Sequence, residues 1–319
     1  MTTRRTFLAI APLAAAAERR AAGAPAGMYV SLNSSLTGNK VAWPEFVRLA
    51  ARVGYGGADV NLPAAMKEGL DATRALFAEA KIRPAYSNLP VNFRGDEQTF
   101  RDGLARLDAA AQFSAAMGCP RMVTVFPPAS QTPREEFRAL LKTRFTAIAE
   151  VLAKHKVRLG LEFLGPLHFR TAQPHEFIWR MNDTLEFAKE CGDNLGLLLD
   201  VWHWHHAGAT VGDILHAGKA RIVVVHLSDS AGIPPEEVRD NRRLLPGEGV
   251  IDLAGFFRAL KQIGYEDSVS PEPIGRIPAD ATAEEGARMG LQSTLAVMRK
   301  APPQQNLWGD SGSGRRPEL

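Results

Sequence analysis

The stretch Leu195-Gly-Leu-Leu-Leu-Asp200 is the clearest indication of the fold in this sequence. An uninterrupted apolar run before a single carboxylate predicts a strand that is buried on both faces, because a strand with one exposed face would alternate apolar and polar residues. Ile222-Val-Val-Val225 repeats the pattern before His226, and Leu159-Gly-Leu161 repeats it before Glu162. Such strands are typical of a parallel sheet covered by helices, and therefore of an α/β fold.

From residue 28 onward, short β-rich segments alternate with longer segments of helical periodicity, which indicates a repeated βα unit. In one helical segment, Asp252 is a candidate cap and Leu253 and Phe256 share a face. We predict eight strands, at residues 29–33, 58–62, 84–88, 122–126, 158–163, 196–200, 222–227 and 268–272. This pattern predicts a single (β/α)8 TIM barrel over residues 27–300, followed by a disordered tail at 301–319 that is rich in Pro, Gln, Gly and Ser.

The first 26 residues resemble an export signal of the twin-arginine type. Arg4-Arg5 precedes Phe7-Leu8 and an Ala-rich, weakly hydrophobic run, and Ala24-Pro-Ala26 offers a cleavage site of small residues. The run is too short to span a bilayer as a stable helix, so we expect no stable membrane anchor. We therefore predict export, to the periplasm, with residues 1–26 as the signal peptide. The alternative is a disordered tail on a cytoplasmic protein.

Charge and cysteine content argue against a nucleic-acid partner and a disulfide framework. The formal net charge of +3 comes from residues 1–26, and the rest of the chain nets to zero. No clustered basic surface is indicated, so no nucleic-acid binding is expected. Cys119 and Cys191 are the two cysteines, and we expect two buried thiols, although one disulfide between them stays open.

Four ionisable residues end consecutive strands of the predicted barrel: Glu162, Asp200, His226 and Glu272. Barrel enzymes carry their chemistry at the C-terminal ends of the strands. Any one of these residues alone could be a helix cap, an ion-pair partner or a core histidine. Four of them at one barrel mouth would resist desolvation unless a cation lies among them. Three carboxylates and one imidazole suit Mn²⁺, Mg²⁺, Co²⁺ or Zn²⁺, and the oxygen-rich set favours the harder ions.

The order of these motifs resembles the xylose-isomerase-like barrel superfamily over roughly residues 28–300. The motifs are Leu159-Gly-Leu-Glu162, Asp200-x-x-His203, His226-Leu-Ser-Asp229, Leu245-Pro-Gly-Glu-Gly249 and the final Glu272. That superfamily contains sugar isomerases and epimerases, inosose dehydratases and the endonuclease IV group. The resemblance implies that Glu162, Asp200, His226 and Glu272 bind one divalent metal, most often Mn²⁺ or Mg²⁺. It also implies that Glu162 and Glu272 are the catalytic acid/base pair.

The implied reaction is the isomerisation or epimerisation of a small carbohydrate through a cis-enediolate. One carboxylate would remove a proton alpha to a carbonyl, and the other would return it on the opposite face or at the neighbouring carbon. We expect Mn²⁺ as the cofactor, with Mg²⁺, Co²⁺ and Zn²⁺ as alternatives. His203 and His168 are candidate substrate-binding residues. A homo-oligomer stays open, because barrels of this kind often pair through their helical faces.

Several neighbouring residues have less specific signals. His205 and His206 extend an apparent histidine cluster, but only His203 has the family spacing, so we expect loop or surface positions for both. Asp229 is either a partner for a histidine or a loop cap. Glu248 lies in a Pro-Gly-Glu-Gly turn, whose geometry explains its glycines. Trp202 and Trp204 could wall a sugar pocket, although packing between helix and strand is the simpler expectation.

One position departs from the ketose 3-epimerases of the superfamily. Many of them have an arginine a few residues after the corresponding histidine, where it contacts the substrate. Here Ser228–Gly232 follows His226, and Arg239, Arg242 and Arg243 come only later. This departure weighs against a free ketose as the substrate.

Three other functions compete with an isomerase or epimerase. A dehydratase or lyase acting on inososes or 3-keto glycosides would share the first proton abstraction and then expel a β substituent. An endonuclease is disfavoured, because its multi-zinc cluster needs histidines from early strands and the first histidine here is His155. A non-catalytic carbohydrate-binding protein is disfavoured because all four ligand positions are filled.

Overall fold

Eight parallel strands close into a barrel in the computed structural model, which describes residues 27–300. The predicted signal at 1–26 and the predicted tail at 301–319 lie outside the described residues. The strands are β1 Tyr29–Leu32, β2 Gly57–Val60, β3 Arg83–Asn88, β4 Arg121–Val125, β5 Arg158–Glu162, β6 Leu195–Asp200, β7 Ile222–Leu227 and β8 Ser268–Pro271. Each strand pairs with the next, and β8 pairs with β1 to close the ring. The (β/α)8 prediction is confirmed.

Helices surround the strands and fill the connections. They are α1 Glu45–Val53, α2 Leu62–Glu68, α3 Leu70–Ala80, α4 Glu97–Ala116, α5 Arg134–Lys154, α6 Leu167–Arg170, α7 Met181–Cys191, α8 Val201–His206, α9 Val211–Ala217, α10 Leu253–Gln262 and α11 Ala283–Arg299. Asp252 caps α10 as predicted, with its carboxylate accepting a hydrogen bond from Gly255 N at 2.8 Å. Within residues 27–300, no helix combines the length and apolarity that a membrane span requires.

The apolar strands form the core that positions the barrel mouth. All residues of β6 and β7 are buried, as their uninterrupted apolar runs predict. Phe126, Phe145 and Phe187 pack in a tilted and edge-on cluster between the barrel and its outer helices. Both cysteines are buried free thiols, which confirms that prediction. The rigid core fixes the strand ends, and so fixes the side chains that emerge there.

Strand register brings the polar strand ends to one level. Asp200 of β6 is the direct neighbour of His226 in β7, and His226 is in turn the neighbour of Ser270 in β8. Glu272 lies just beyond β8, where its backbone N–H donates to Leu227 O at 2.8 Å. Glu162 ends β5. The four residues therefore emerge from four adjacent strands at the same end of the barrel.

Candidate metal centre and substrate pocket

The structure brings together the four residues that the sequence predicts as metal ligands. Glu162, Asp200, His226 and Glu272 each offer one donor atom, and these atoms all lie within 4.8 Å of one another. The first three side chains are buried, and Glu272 is partly exposed. His226 Nδ1 lies 3.2 Å from Glu272 Oε2 and 3.7 Å from Glu162 Oε1. Three carboxylates thus surround one imidazole nitrogen at the barrel mouth.

Burial and mutual repulsion disturb the ionisation of this cluster. Burial, with the nearby charge of Glu272, raises the pKa of Glu162 well above its usual range. Burial alone would lower the pKa of His226, but Glu272 and Glu162 outweigh it and raise that pKa. Burial likewise opposes the ionised form of Asp200, yet the charge of Arg243 holds its pKa below the usual range. The cluster therefore concentrates negative charge that a cation would stabilise.

Two of the atoms that could bind a metal in this cluster have no hydrogen-bond partner among residues 27–300. They are Glu162 Oε1 and His226 Nδ1, both buried, and the ion-pair contacts of His226 Nδ1 with the two glutamates lack hydrogen-bond geometry. Buried polar atoms are normally satisfied, so unpaired atoms of this kind need an explanation. A divalent cation within reach of both would provide it, and three oxygen donors with one nitrogen match the preferences of Mn²⁺ and its neighbours. The residues present therefore fit a metal ion.

Asp200 is oriented by the helix that it begins. Its Oδ1 accepts hydrogen bonds from the backbone N–H groups of Trp202 at 2.7 Å and His203 at 3.2 Å, so it is the N-cap of α8. Aspartate is among the preferred residues at this position. The cap holds the carboxylate in one rotamer and leaves Oδ2 directed to the cluster. The helix thus fixes a ligand that its own N-terminus stabilises.

Arg243 is the residue of the cluster that the sequence did not place. It is 2% exposed, and its Nη1 lies 2.7 Å from Asp200 Oδ2 and 3.3 Å from Glu272 Oε2. Asp240 pairs with the other side of the guanidinium, and the Trp202 ring lies 4.6 Å from its centre. The connection after β7 folds back over the barrel mouth and supplies this cation. Arg243 does not line the cavity, so the departure from the ketose 3-epimerases stands and still weighs against a free ketose as the substrate.

The two predicted substrate-binding histidines lie behind the cluster. His203 is buried, which lowers its pKa to about 3, so the ring is neutral and its Nε2 accepts from Arg243 Nη2 at 3.1 Å. His168 packs on Phe169, with ring centroids 4.2 Å apart. Neither histidine lines the cavity that opens on Glu162, His226 and Glu272. A substrate contact by either residue stays a prediction.

The other histidines of this stretch lie apart from the donor cluster. His206 Nε2 lies 3.0 Å from Ser230 Oγ, and its ring meets Trp202 edge-on. Burial lowers the pKa of His206 to about 4, so its ring is neutral near pH 7. His205 is half-buried beside it. Within residues 27–300, the group with metal-binding geometry contains neither of them.

Asp229 is a loop cap. Its Oδ1 accepts from the backbone N–H groups of Ser230 at 2.8 Å and Ile251 at 3.0 Å, and its Oδ2 accepts from that of Gly247 at 3.0 Å. The turn packs so closely on this carboxylate that a Cβ at Gly249 would overlap Ser230 O. Asp229 therefore ties the turn to the end of β7, close to Arg243.

Replacing Asp229 by Ala is expected to lower the free energy of unfolding by about 1–3 kcal/mol for each backbone N–H left without an acceptor. Urea unfolding of the metal-free protein would measure this loss. The exposed Asp280→Ala is the matched control and should change stability by about 0.5 kcal/mol or less. Unchanged stability together with weakened metal binding would instead assign Asp229 a role at the metal.

Glu248 has a structural partner on the neighbouring loop. Arg276 donates to both of its carboxylate oxygens at 2.8 Å, and Leu245 N donates at 3.0 Å. The pair is partly exposed, with side-chain exposures of 35% and 36%. Glu248 therefore stabilises the turn and takes no part in the donor cluster.

A cavity of about 530 Å³ opens beside the cluster, and the sequence analysis missed its polar residues. Asn33 follows β1, Asp59 and Tyr86 lie within β2 and β3, and all three line the cavity together with Glu162 and other site residues. Burial raises the pKa of Asp59 to about 7. Their signal in the sequence is weak, since β1 to β3 lack long apolar runs that end in a charge. Asn61, Asn88, Trp43 and Phe46 extend the lining outward.

Comparisons with known proteins agree with this geometry. The chain is 26% identical to the inosose isomerase of Bacillus velezensis over 282 residues, which cover 86% of this chain and 98% of that protein. Its fold matches a xylose isomerase domain protein from Alicyclobacillus acidocaldarius with a TM-score of 0.79 at 28% identity, over 86% of this chain and 99% of that one. It matches a crystal structure of IOLI protein "with a binding zinc atom" with a TM-score of 0.72 at 25% identity, over the same shares of the two chains.

A family model described as xylose isomerase-like TIM barrel matches residues 47–293. That span runs from α1 into α11, and contains seven of the eight strands and all four candidate ligands. Sequence, closed barrel and strand-end cluster thus agree, and this chain belongs to the xylose isomerase-like TIM barrel family.

Proposed function

We propose that this protein is a divalent-metal-dependent isomerase or epimerase of polyhydroxylated ketones. The observation that carries the proposal is the convergence of Glu162, Asp200, His226 and Glu272 within 4.8 Å at the mouth of a polar cavity. The similarity to inosose isomerase adds a substrate class, cyclic polyhydroxylated ketones, since that relative aligns over nearly its whole length. We propose Mn²⁺ as the metal on account of the oxygen-rich donors, with Zn²⁺ as the alternative that the zinc-containing structure suggests.

Glu162 and Glu272 are the groups that would move the proton. Both lie within 4 Å of His226 Nδ1, at 3.7 and 3.2 Å, so they share one small volume at the cavity wall. Glu162 would take the proton alpha to the carbonyl. Glu272, protonated from solvent, would return a proton on the other face or at the next carbon, and Glu162 would release its proton to solvent before the next turnover. When bound, a divalent cation would polarise the carbonyl and stabilise the enediolate charge.

The cavity wall opposite the acids suits a substrate with many hydroxyl groups. Asn33, Asn61 and Asn88 contribute amide groups that both donate and accept hydrogen bonds, and Trp43 offers an apolar face. Small-molecule pockets commonly combine apolar and aromatic walls with a few polar groups that fix the orientation of the ligand. A substrate held there would present its carbonyl to the four donors.

Exchange of substrate protons with solvent tests the proposed reaction. Protein loaded with Mn²⁺ is incubated in D₂O with inososes, ketoses and 3-keto glycosides, and the protons alpha to the carbonyl are followed by NMR after removal of the metal. We expect exchange that stops with EDTA and returns when Mn²⁺ is restored. Loss of water or of an aglycone from the product would assign a lyase instead. No exchange across the panel, with metal shown to be bound, would contradict the proposal for these substrates.

Metal binding is also expected to stabilise the fold. A ligand present at 100 times its Kd stabilises the native state by about 2.7 kcal/mol, because it binds the folded donors and not the unfolded chain. Thermal unfolding with increasing Mn²⁺ would show a rising midpoint. Asp200→Asn, which keeps the helix cap but loses a charged ligand, should reduce that rise. An equal rise in both proteins would place the metal elsewhere.

A further inference from the structure

A buried chain of hydrogen bonds leads from His226 away from the carboxylates. The imidazole presents Nδ1 to Glu272, whereas its Nε2 lies 2.8 Å from the hydroxyl of Tyr86. Tyr86 in turn donates to Asp59 Oδ2 at 2.7 Å. The two ring nitrogens therefore face different groups, and Nδ1 is the one that can reach a metal in the cluster.

The protons along this chain can be counted. A phenol has one proton, and the short contact of 2.7 Å directs the Tyr86 hydroxyl to Asp59 Oδ2, so that proton is not available to His226. The oxygen of Tyr86 is then left as an acceptor. It accepts from Asn33 Nδ2 at 3.2 Å, and it can accept from His226 only if Nε2 carries a proton. The opposite arrangement would turn Tyr86 toward His226 and leave Asp59 Oδ2 without this donor.

We propose that Asp59 and Tyr86 are positioning residues that hold the proton of His226 on Nε2, so that Nδ1 is the nitrogen that binds the metal. This inference rests on the proposed function only in that the metal is the one this function requires. A histidine that binds a metal through one nitrogen is commonly held by a hydrogen bond at the other, which sets its tautomer and ring orientation. Here the partner of His226 Nε2 is the hydroxyl of Tyr86, which donates its own proton to the carboxylate of Asp59.

The barrel makes this contact possible. Asp59 is in β2 and Tyr86 in β3, whereas His226 is in β7, and the ring order places β3 opposite β7. The three residues therefore meet across the barrel mouth. Tyr86 and His226 are each 4% exposed, and their ring centroids are 5.4 Å apart. Solvent therefore has little access to the contact between Tyr86 and His226.

Nitrogen NMR of the histidines tests the tautomer without reference to activity. In protein labelled with ¹⁵N-histidine and loaded with Zn²⁺, long-range ¹H–¹⁵N correlations distinguish a protonated nitrogen from a metal-bound one. His226 is assigned by its loss in His226→Gln. We expect His226 to show a protonated Nε2 and a metal-bound Nδ1. A protonated Nδ1 with Nε2 bound to metal would overturn the inference.

Metal affinity provides a second readout. Tyr86→Phe keeps the ring but removes the acceptor, so we expect the Kd for Zn²⁺ to rise about 10–100-fold. Tyr265→Phe is the matched control, since Tyr265 is an equally buried tyrosine whose hydroxyl donates to Ser268 O, at the far end of β8. It should leave the Kd unchanged. Equal Kd values for Tyr86→Phe and the wild type would contradict the proposed role.

A double-mutant cycle separates this role from a loss of stability. Asp59→Ala leaves Tyr86 free to donate to His226 Nε2, so it should weaken Zn²⁺ binding. In the Tyr86→Phe background the same substitution should have little further effect on the Kd, because Asp59 acts through Tyr86. Additive losses would contradict this dependence. A wild-type chain that binds no metal would refute the proposed function, whereas metal binding with the opposite tautomer refutes this inference alone.

Discussion

Glu162→Gln is expected to lower the rate of metal-dependent α-proton exchange by about 10²–10⁴-fold, the usual contribution of a general acid or base. Glutamine keeps the shape of the side chain and an oxygen that can face a metal, but it cannot take up a proton at neutral pH. Glu272→Gln should have an effect of the same size, because one carboxylate removes the proton and the other returns it. NMR exchange rates in D₂O, with bound metal measured in each variant, would give the comparison.

Glu248→Gln is the matched control for both substitutions. It removes a carboxylate near the barrel mouth whose partners are Arg276 and a turn, and it should leave the exchange rate within a factor of two to three of wild type. If either Glu162→Gln or Glu272→Gln retained near wild-type exchange with metal bound, that glutamate would be a ligand without an acid or base role. If either variant no longer bound metal, its reduced rate would show that the glutamate is a metal ligand and would not test its acid or base role.

Arg243→Met is expected to lower the free energy of unfolding of the metal-free protein by about 3–5 kcal/mol, the range for removing one partner of a buried ion pair. Arg243 is the cation that Asp200 and Glu272 contact in the structure, so its loss leaves buried carboxylates without a compensating charge. Denaturant unfolding would measure the loss. With Mn²⁺ present the cost should be smaller, because the metal itself compensates those carboxylates.

Arg276→Met provides the contrast for this experiment. Its partner Glu248 is partly exposed, and pairs of that kind contribute about 0–1 kcal/mol. Equal costs for Arg243→Met in metal-free and metal-loaded protein would show that Arg243 and the metal do not share the same carboxylates.

Much of the fold follows from apolar runs that end in charge. Strands β6 and β7 are buried throughout, so their patterns are unambiguous in the sequence. Boundaries are less certain where a strand end doubles as a helix start. The predicted second strand extends to residue 62, but Asn61 caps α2 by accepting from Ala64 N at 3.1 Å, and β2 ends at Val60. The capping hydrogen bond competes with the strand and ends it.

The site was only partly predictable for a related reason. Glu162, Asp200, His226 and Glu272 end strands, and strand order alone places them side by side. Arg243 belongs to the long connection after β7. The path of this connection depends on the hydrogen bonds that Asp229 accepts from the turn at residues 247–251, and hydrophobic periodicity does not predict such a path. Asp59 and Tyr86 lie in short strands with mixed polarity, where a buried polar side chain looks like an ordinary exposed one.

The two halves of the barrel contribute different parts of the site. The four candidate ligands come from β5 to β8, whereas most of the cavity lining comes from β1 to β4 and the loops that follow them. Substitutions among the lining residues of the first half other than Asp59 and Tyr86 would therefore change the substrate contacts without altering the four candidate ligands of the second half. A closed ring of strands is well suited to such change, because each loop can lengthen without disturbing its neighbours' register.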